Sequence, residues 1–344
     1  MTARASRATA LVESPLQLLG AVEAHAAGLG GRRTQVRVRD GLATLASAAR
    51  SVQRTTLPPG LELTSSPSGW SGRPWVPPRE EQWLVGDAFS GRFQAGLVTS
   101  PPAAGVVLLD DGLATLELVR VIVEGEPALR VGHAHGRGTA VRARLGAATT
   151  ARLRRLAATD QLVLLTAMPV PAELAAGWHA LGARLVTHRF AWLAAQPAPQ
   201  APHEPTVVVG SALVTDGWLQ PEPYLRWVRS FTRHGPVRYV PHRRSDPRVL
   251  TALRATPSVR VEPPGPPVEM LLRGLRPPQR VVCLPSTAYV LLDALHAGTG
   301  VRVTADRVPD DWWTPQASPE VRRYLSSVLD LVDRPALAPV AVER

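Results

Sequence analysis

The sequence predicts an α/β fold with two Rossmann-like domains that face a cleft. Two observations support this prediction: apolar, strand-like runs alternate with helix-like segments, and one proline-rich stretch divides the alternation into two halves. Strands that alternate with helices form parallel sheets covered by helices on both faces. Such sheets bind ligands at the carboxyl ends of their strands, so the residues that follow each strand are the candidates for a site.

The first half, residues 1–195, is predicted to be one domain. Its strands are expected at residues 8–12, 34–39, 83–86, 106–110, 161–166 and 184–187, and its helices at 16–29, 42–49, 89–98, 113–119 and 172–181. Residues 58–78 are rich in proline, serine and glycine, and this composition predicts a long surface loop.

The second half, residues 206–344, is predicted to be another domain. It follows residues 196–205, whose four prolines exclude a helix or a central strand and predict a semi-rigid linker. Its strands are expected at residues 206–209, 237–240, 258–261, 280–284 and 301–304, and its helices at 221–231, 247–255, 267–273 and 287–297.

The composition is that of a globular protein, with 344 residues, 45% hydrophobic residues and 19% charged residues. The longest apolar runs fall well short of the ~20 residues that a membrane-spanning helix needs, and the first residues lack the apolar core of a secretory signal. Cys283 is the single cysteine, which excludes an internal disulfide and fits a reducing compartment. We therefore expect a cytoplasmic protein.

The net charge is +11, and all 39 basic residues are arginine. Arginine without lysine, together with abundant alanine, glycine and proline, is typical of a GC-rich coding sequence. The arginines are dispersed and form no tail with interleaved aromatic residues, so no nucleic-acid partner is expected. The same charge would suit an anionic acceptor or peripheral contact with the inner membrane surface.

Two adjacent acids and a glycine, Asp110, Asp111 and Gly112, follow a buried-strand run in the first half. Burial and crowding raise the pKa of such a carboxyl group towards the range of a general base. The glycine lets the backbone turn sharply after the acids. The simpler alternative is that Asp111 is the N-cap of the helix that begins at Leu113.

Three further strand ends carry phosphate-binding residue types. His242 and Arg243 follow a strand of the second half, where an imidazole beside arginines can hold and protonate a phosphate, or merely form a solvated basic turn. Ser286 and Thr287 precede a helix, where hydroxyls and backbone N–H groups bind phosphate, although Ser286 could be a plain N-cap. Gly210 and Ser211 form a weaker turn of the same kind, without a dinucleotide-binding fingerprint.

No metal site is predicted from these patterns. Adjacent acids in a strand point to opposite sides, unlike the Asp-x-Asp arrangement that chelates a metal–nucleotide complex. His133 and His135 lie two residues apart in a glycine-rich stretch, but no further ligand is close to them in sequence. A mobile loop is the simpler interpretation of that stretch.

Four motifs, in this order, resemble those of the bacterial sialyltransferases of the GT-B type, especially the polysialyltransferase and lipooligosaccharide sialyltransferase families. They are Ser-Pro-Leu-Gln at 14–17, Asp-Asp-Gly at 110–112, Pro-His at 241–242 and Ser-Thr at 286–287. The resemblance spans residues 11–296. One departure is that the family has histidine before proline, whereas His242 follows Pro241.

The resemblance implies an inverting transfer of sialic acid or a related nonulosonic acid from a CMP-activated donor to a glycan hydroxyl, without a metal or other cofactor. The first acid of the pair is the base in such enzymes, which assigns that role to Asp110, although the sequence does not decide between Asp110 and Asp111. The residues implied around the acceptor in the first domain are Asp111, Gly112, Ser14 and Gln17.

On the donor side, the resemblance assigns the second domain to the CMP-activated sugar. His242 would bind and protonate the departing phosphate. The residues implied in holding the nucleotide and its phosphate are Ser286, Thr287, Gly210, Ser211 and Arg243. Two alternatives stay open: a GT-B transferase or epimerase that uses another nucleotide sugar, and a non-catalytic glycan- or nucleic-acid-binding protein of the same fold.

Overall fold

The computed structural model describes residues 6–66, 74–130, 139–263 and 265–333. The chain divides into two compact units between Gln196 and Pro197, within the proline-rich stretch. Each unit contains one parallel sheet, with helices between most of its consecutive strands, which confirms the predicted α/β class with two Rossmann-like domains.

The first unit contains a seven-stranded sheet. Its strands are β1 (Arg7–Val12), β2 (Arg33–Arg39), β3 (Leu61–Ser66), β4 (Gln82–Val85), β5 (Val106–Leu108), β6 (Leu162–Thr166) and β7 (Arg184–Thr187). Its helices are α1 (Pro15–Ala26), α2 (Ala43–Gln53), α3 (Gly91–Thr99), α4 (Leu113–Glu124), α5 (Thr139–Ala158), α6 (Ala172–Ala180) and α7 (Ala191–Ala194).

The strand order of this sheet is β3-β2-β1-β4-β5-β6-β7, and all its pairs are parallel. The order reverses between β1 and β4. Open α/β sheets bind ligands in the crevice at such a reversal, outside the carboxyl ends of the strands. The residues after β1, β4 and β5 are therefore the ones to compare with the predicted site.

The core of the first unit fixes the positions of these strand ends. Strands β5 and β6 are buried along their whole length, as expected for a parallel sheet covered on both faces. Trp83, Phe93 and Trp178 are among its largest fully buried side chains. A close-packed core of this kind holds the strand ends in fixed positions.

Three predictions of elements in this unit were wrong. Residues 58–78 are not one long loop, because β3 pairs with β2 as an edge strand at residues 61–66. Helix α5 was not predicted at all, and β5 ends at Leu108 rather than at residue 110. Asp110 and Asp111 therefore follow the strand as a turn instead of forming its last two residues.

The second unit contains a five-stranded sheet. Its strands are β8 (Thr206–Val209), β9 (Val237–Val240), β10 (Val259–Val261), β11 (Arg280–Cys283) and β12 (Arg302–Ala305), and its helices are α8 (Pro221–Ser230), α9 (Pro247–Arg254), α10 (Val268–Leu272), α11 (Thr287–His296) and α12 (Pro319–Asp333). Helix α12 was not predicted. The strand order, β10-β9-β8-β11-β12, is again parallel and reverses between β8 and β11.

The proline-rich stretch is attached to the second unit through its backbone carbonyl groups. Gln279 Nε2 donates to the carbonyl oxygen of Pro202 at 2.5 Å and to that of Glu204 at 3.1 Å. The guanidinium of Arg273 donates to the carbonyl oxygen of Pro197. Two of these three acceptors belong to prolines, whose ring removes the N–H but leaves the carbonyl group available.

None of the helices in the described ranges combines the length and the apolar character that a transmembrane helix requires.

Candidate active site

In the first unit, the predicted acceptor-side residues converge where β1 and β5 end. Ser14 is the N-cap of α1, and its Oγ accepts from the backbone N–H of Gln17 at 3.2 Å. The buried Gln17 side chain then joins the two strand ends: Nε2 donates to Asp111 Oδ1 at 2.7 Å, and Oε1 accepts from the N–H of Glu13 at 2.7 Å.

Gly86, which sequence reasoning missed, makes room for this bridge. It follows β4, and a Cβ atom at this position would lie 2.4–2.5 Å from the Cγ, Cδ and Oε1 atoms of Gln17. Such a separation is far inside van der Waals contact, so only glycine fits without moving Gln17. The signal in the sequence was a glycine directly after the strand at residues 82–85.

Asp110 is 1% exposed, and the structure uses its carboxylate as a link between neighbouring elements. Oδ1 accepts from Thr115 Oγ1 at 3.0 Å and from the N–H of Gly112 at 3.3 Å, while Oδ2 accepts from the N–H of Ala167 at 2.7 Å. Burial raises the pKa of Asp110, and these hydrogen bonds partly oppose the rise. The carboxylate thus ties the turn after β5 to α4 and to the turn after β6.

Asp111 is the more accessible acid of the pair, with 21% of its side chain exposed. Oδ1 accepts from Gln17, and Oδ2 lies 3.0 Å from Arg130 Nη2. The backbone N–H of Asp111 donates to Thr115 Oγ1 at 2.8 Å. Its side chain borders a small, mostly apolar pocket, whose lining residues are Val85, Gly86, Ala88, Phe89, Leu109, Asp111, Ala114, Thr115 and Leu118.

Gly112 forms the turn that leads into α4. Its φ of +68° is in the region that favours glycine, and it is itself the N-cap residue of α4. The N-cap position is thus occupied by Gly112, so the alternative interpretation of Asp111 as the N-cap was wrong. The Asp111 carboxylate is therefore available for the contacts with Gln17 and Arg130.

In the second unit, the predicted residues follow three adjacent strands: Gly210 and Ser211 follow β8, His242 and Arg243 follow β9, and Ser286 follows β11. Because the strands are parallel, all five residues lie at the carboxyl edge of the same sheet. The reversal of strand order falls between β8 and β11.

Gly210 allows the turns after β8 and β9 to approach each other. A Cβ atom at this position would lie 2.5 Å from Tyr239 Oη and 3.0 Å from the backbone nitrogen of His242. The N–H of Gly210 donates to the carbonyl oxygen of Val240 at 2.8 Å, which continues the strand pairing past the end of β8. Gly210 therefore acts by leaving space for the neighbouring turn, and it contributes no side chain to the site.

Two buried tyrosines behind this turn were not found from the sequence. Tyr224 and Tyr239 are joined through their hydroxyls at 2.9 Å. Tyr224 Oη also accepts from the N–H of Ser211 at 3.3 Å, and Ser211 Oγ accepts from the N–H of Leu213 at 3.2 Å. Aromatic residues on a strand and a helix predict core packing, so their sequence positions gave no sign of this polar role.

His242 differs in charge from the sequence-based expectation. Burial, followed by the neighbouring charges of Arg243 and Arg244, lowers the pKa of His242 to about 4. Its Nδ1 accepts from the N–H of Arg244 at 3.1 Å, so in the neutral ring the proton is on Nε2. The imidazole is thus a neutral hydrogen-bond donor near pH 7, and not an imidazolium, before any anion binds.

The two arginines after His242 have different environments. Arg244 forms a bidentate pair with Asp216, at 2.5 and 3.1 Å. Arg243 is exposed, and no carboxylate within the described part of the chain forms an ion pair with it. Arg243 is therefore the arginine of this pair that can meet an anionic ligand without first breaking a salt bridge.

Ser286 and Thr287 lie at the start of α11, and both are partly exposed. Ser286 is the N-cap: its Oγ accepts from the N–H of Tyr289 at 3.4 Å. The capping alternative for Ser286 is therefore correct, and it is compatible with ligand binding, since the positive end of the helix dipole lies at the carboxyl edge of the sheet.

No group of three or more histidine, cysteine, aspartate or glutamate residues able to hold a metal ion occurs in the described ranges. His133 and His135 lie outside those ranges.

Comparisons with known proteins give no family assignment. No protein-family model matches the chain, and no curated protein matches its sequence. Among solved structures, the chain is similar to UDP-glucose:anthocyanidin 3-O-glucosyltransferase in complex with UDP, with 11% identity and a TM-score of 0.43 over 96% of this chain and 94% of that chain. It is also similar to the spinosyn forosaminyltransferase SpnP, with 12% identity and a TM-score of 0.42 over 95% of this chain and 91% of that chain. Similarity at this level does not assign an activity.

Proposed function

We propose that this protein is a GT-B glycosyltransferase that moves a sugar from a nucleotide donor to an acceptor hydroxyl. One observation carries the proposal. In both Rossmann-like units, the motif residues lie at the carboxyl edge of the sheet beside the reversal of strand order, with acids in the first unit and phosphate-binding groups in the second. Acceptor activation is proposed for the first unit and donor binding for the second.

The donor that we propose is a CMP-activated nonulosonic acid such as sialic acid. The support for this choice is the set of four motifs that resemble those of the bacterial sialyltransferases. The second unit offers the start of α11 with the hydroxyls of Ser286 and Thr287, the exposed Arg243, and the turn at Ser211. A helix N-terminus with hydroxyls and an arginine can neutralise a phosphate without a metal ion.

The proposed reaction is an inverting displacement at the anomeric carbon. The acceptor oxygen forms a bond to that carbon, and its proton passes to a carboxylate of the first unit. The bond between the anomeric carbon and the phosphate oxygen breaks, and its electron pair leaves with CMP. The Nε2–H of His242 donates a hydrogen bond to the departing phosphate, and the approach of that anion raises the imidazole pKa. The ring then takes up a proton from solvent at Nδ1, in place of the hydrogen bond from the N–H of Arg244, and the Nε2 proton passes to the phosphate as CMP leaves.

Between the two acids, accessibility supports Asp111 as the base. Asp110 is the base implied by the resemblance, but its two oxygens accept from Thr115, Gly112 and Ala167 inside the fold. Asp111 borders the pocket and is partly exposed. A general base must come within hydrogen-bond distance of the proton that it removes.

Asparagine variants separate the two assignments. We expect Asp111→Asn to abolish transfer and to lower the melting temperature less than Asp110→Asn does, because Asp111 is partly exposed. Asp110→Asn should lower the melting temperature, because its amide group would face the N–H of Ala167 or the donors at Oδ1. An Asp110→Asn protein that melts like the wild type but lacks activity would instead assign the base to Asp110.

The donor is tested by binding and by turnover. Thermal shift with CMP, UDP, GDP and ADP should show stabilisation by CMP alone, and CMP-N-acetylneuraminic acid should release CMP when glycan acceptors are present. His242→Ala should slow release strongly, whereas His234→Ala, at an exposed position before β9, serves as the matched control. Stabilisation by UDP, GDP or ADP instead of CMP would contradict the proposed donor and favour another nucleotide sugar.

A further inference from the structure

Arg130 joins the acid proposed as base to a second acid that sequence reasoning missed. Its Nη2 lies 3.0 Å from Asp111 Oδ2 and 3.0 Å from Asp87 Oδ2. Asp87 follows β4, and Asp111 follows the adjacent strand β5, so the guanidinium spans two neighbouring strand ends. The reversal of strand order lies on the other side of β4.

Asp87 is itself held in place. Its Oδ1 accepts from the N–H of Phe89 at 2.8 Å, which leaves Oδ2 directed to Arg130. The guanidinium carbon of Arg130 lies 5.8 Å from the centre of the Phe89 ring, within the range of a cation–π contact. Two ion pairs and a ring contact thus fix the position of a side chain that is 44% exposed.

We propose that Arg130, anchored by Asp87, is a positioning residue that fixes the Asp111 carboxylate at the pocket and keeps it ionised. This inference rests on the proposed glycosyl transfer. Gln17 holds Oδ1 of Asp111 and Arg130 holds Oδ2, so the two donors determine the orientation of the carboxylate plane. A base that is held in this way needs little reorganisation when an acceptor hydroxyl arrives.

The charges around Asp111 explain why a cation is needed. Asp110 is adjacent in the chain, and Asp87 shares Arg130 with Asp111, whereas Glu13 contacts Gln17 through its backbone N–H and not through its carboxylate. Glu13 has its own partner, since its Oε1 lies 3.0 Å from Arg39 Nη1. Arg130 places a positive charge 3.0 Å from Asp111 Oδ2. A neutral side chain at this position would remove that charge and so disfavour the ionised form of Asp111 relative to the wild type.

The test is the pH dependence of kcat/KM for the wild type and for Arg130→Gln, Arg130→Lys and Asp87→Asn. Arg130→Gln should move the acidic limb to higher pH by about one unit and lower kcat more than it changes KM. Arg130→Lys should restore most of the profile. Asp87→Asn removes a carboxylate near Asp111 together with the anchor of Arg130, so it should lower kcat without moving the acidic limb to higher pH. An Arg130→Gln profile identical to that of the wild type would overturn the proposal.

Arg120→Gln is the matched control, because Arg120 also pairs with several carboxylates, those of Glu117, Glu124 and Glu126, but away from the pocket. It should leave the pH profile unchanged.

An NMR titration of the Asp111 carboxyl carbon, assigned with Asp111→Asn, tests the same role without turnover. Its midpoint should rise in Arg130→Gln and stay in place in Arg120→Gln. An unmoved midpoint in Arg130→Gln would overturn the role proposed for Arg130 but not the proposed glycosyl transfer. A wild-type protein that transfers no sugar from any nucleotide donor would overturn the proposed function, even if the titration shifts as expected.

Discussion

At the scale of single residues, glycines next to strand ends set the geometry of both edges. Gly86 leaves space for Gln17, and Gly210 leaves space for Tyr239 and for the backbone of His242. Neither position contributes a chemical group. Both glycines matter because a Cβ atom at either position would displace a neighbouring group of the site.

Gly86→Ala should disturb the acid site with a modest loss of stability. The added Cβ would push Gln17 away from Asp111, and we expect about a tenfold loss of kcat/KM with about 1 kcal/mol lower stability. Enzyme kinetics and a urea melt measure the two effects. Gly91→Ala is the control, because the nearest atom to its Cβ would be 3.9 Å away. Equal kinetics in Gly86→Ala and Gly91→Ala would contradict the role of Gly86.

His242 should also affect the pH dependence of stability. The pKa of His242 is about 4 in the folded protein and about 6.5 in the unfolded chain. The stability that neutral His242 provides is therefore fully present above pH 6.5, and it is lost as the pH falls towards 4, because the unfolded chain binds a proton that the folded protein does not. The destabilisation caused by His242→Gln should therefore be smaller at pH 4.5 than at pH 7.5, by roughly 1–2 kcal/mol. Urea denaturation at the two pH values measures the difference.

His188 provides an independent second case for this pH dependence. Burial lowers its pKa to about 4 as well. We expect His188→Gln to show the same sign of change between pH 7.5 and pH 4.5. A pH-independent effect in both variants would show that neither imidazole is held neutral in the folded protein.

At the scale of elements, Gly210→Ala should weaken donor binding, because the turns after β8 and β9 are packed closely together at this glycine. A Cβ atom 3.0 Å from the His242 backbone nitrogen forces that turn to shift. We expect at least a tenfold weaker affinity for the nucleotide and a loss of about 2 kcal/mol of stability. Calorimetric titration with CMP tests this, with Gly265→Ala as the control, where a Cβ would be 3.6 Å from the nearest atom. Unchanged CMP affinity would contradict the prediction.

The elements that the sequence predicted are those with clear apolar runs. Strands β5, β6, β8 and β11 are rich in valine and leucine, so their positions and the residues that follow them were found. Strand β3 was missed because it lies at the edge of the sheet and its sequence, Leu-Glu-Leu-Thr-Ser-Ser, is largely polar.

Helix α5 was missed for a different physical reason. Beside Leu153 and Leu156 it buries small and polar side chains, including Thr149 and Thr150, which weaken the hydrophobic signal. Their hydroxyls are satisfied by the carbonyl oxygens of Leu145 and Glu126, at 2.8 and 2.7 Å. The Asp87–Arg130–Asp111 cluster was missed for another reason: its residues are brought together by the pairing of β4 with β5, and no local sequence motif marks them.

At the scale of the whole molecule, each unit has its own buried core, built around Trp83 and Trp178 in the first and around Tyr224 and Tyr239 in the second. Separate cores favour unfolding in more than one step. Scanning calorimetry should resolve two transitions, and saturating CMP should raise the one that belongs to the second unit. The fluorescence of Trp227, compared in Trp227→Phe, helps to assign that transition. One sharp transition that CMP raises as a whole would contradict this prediction.

The reversal of strand order also determines when each site is completed during synthesis. Strand β1 is made first but lies inside the sheet, and its neighbour β4 follows only at residues 82–85. The second unit repeats this delay, since β8 waits for β11 at residues 280–283. Until then, each nascent unit has an open β-strand edge, which is the surface most prone to wrong pairing. The junction at which the strand order reverses is thus a delayed pairing for β1 and for β8, and slow pairing there would lower the yield of folded protein before it changed the activity of the folded molecules.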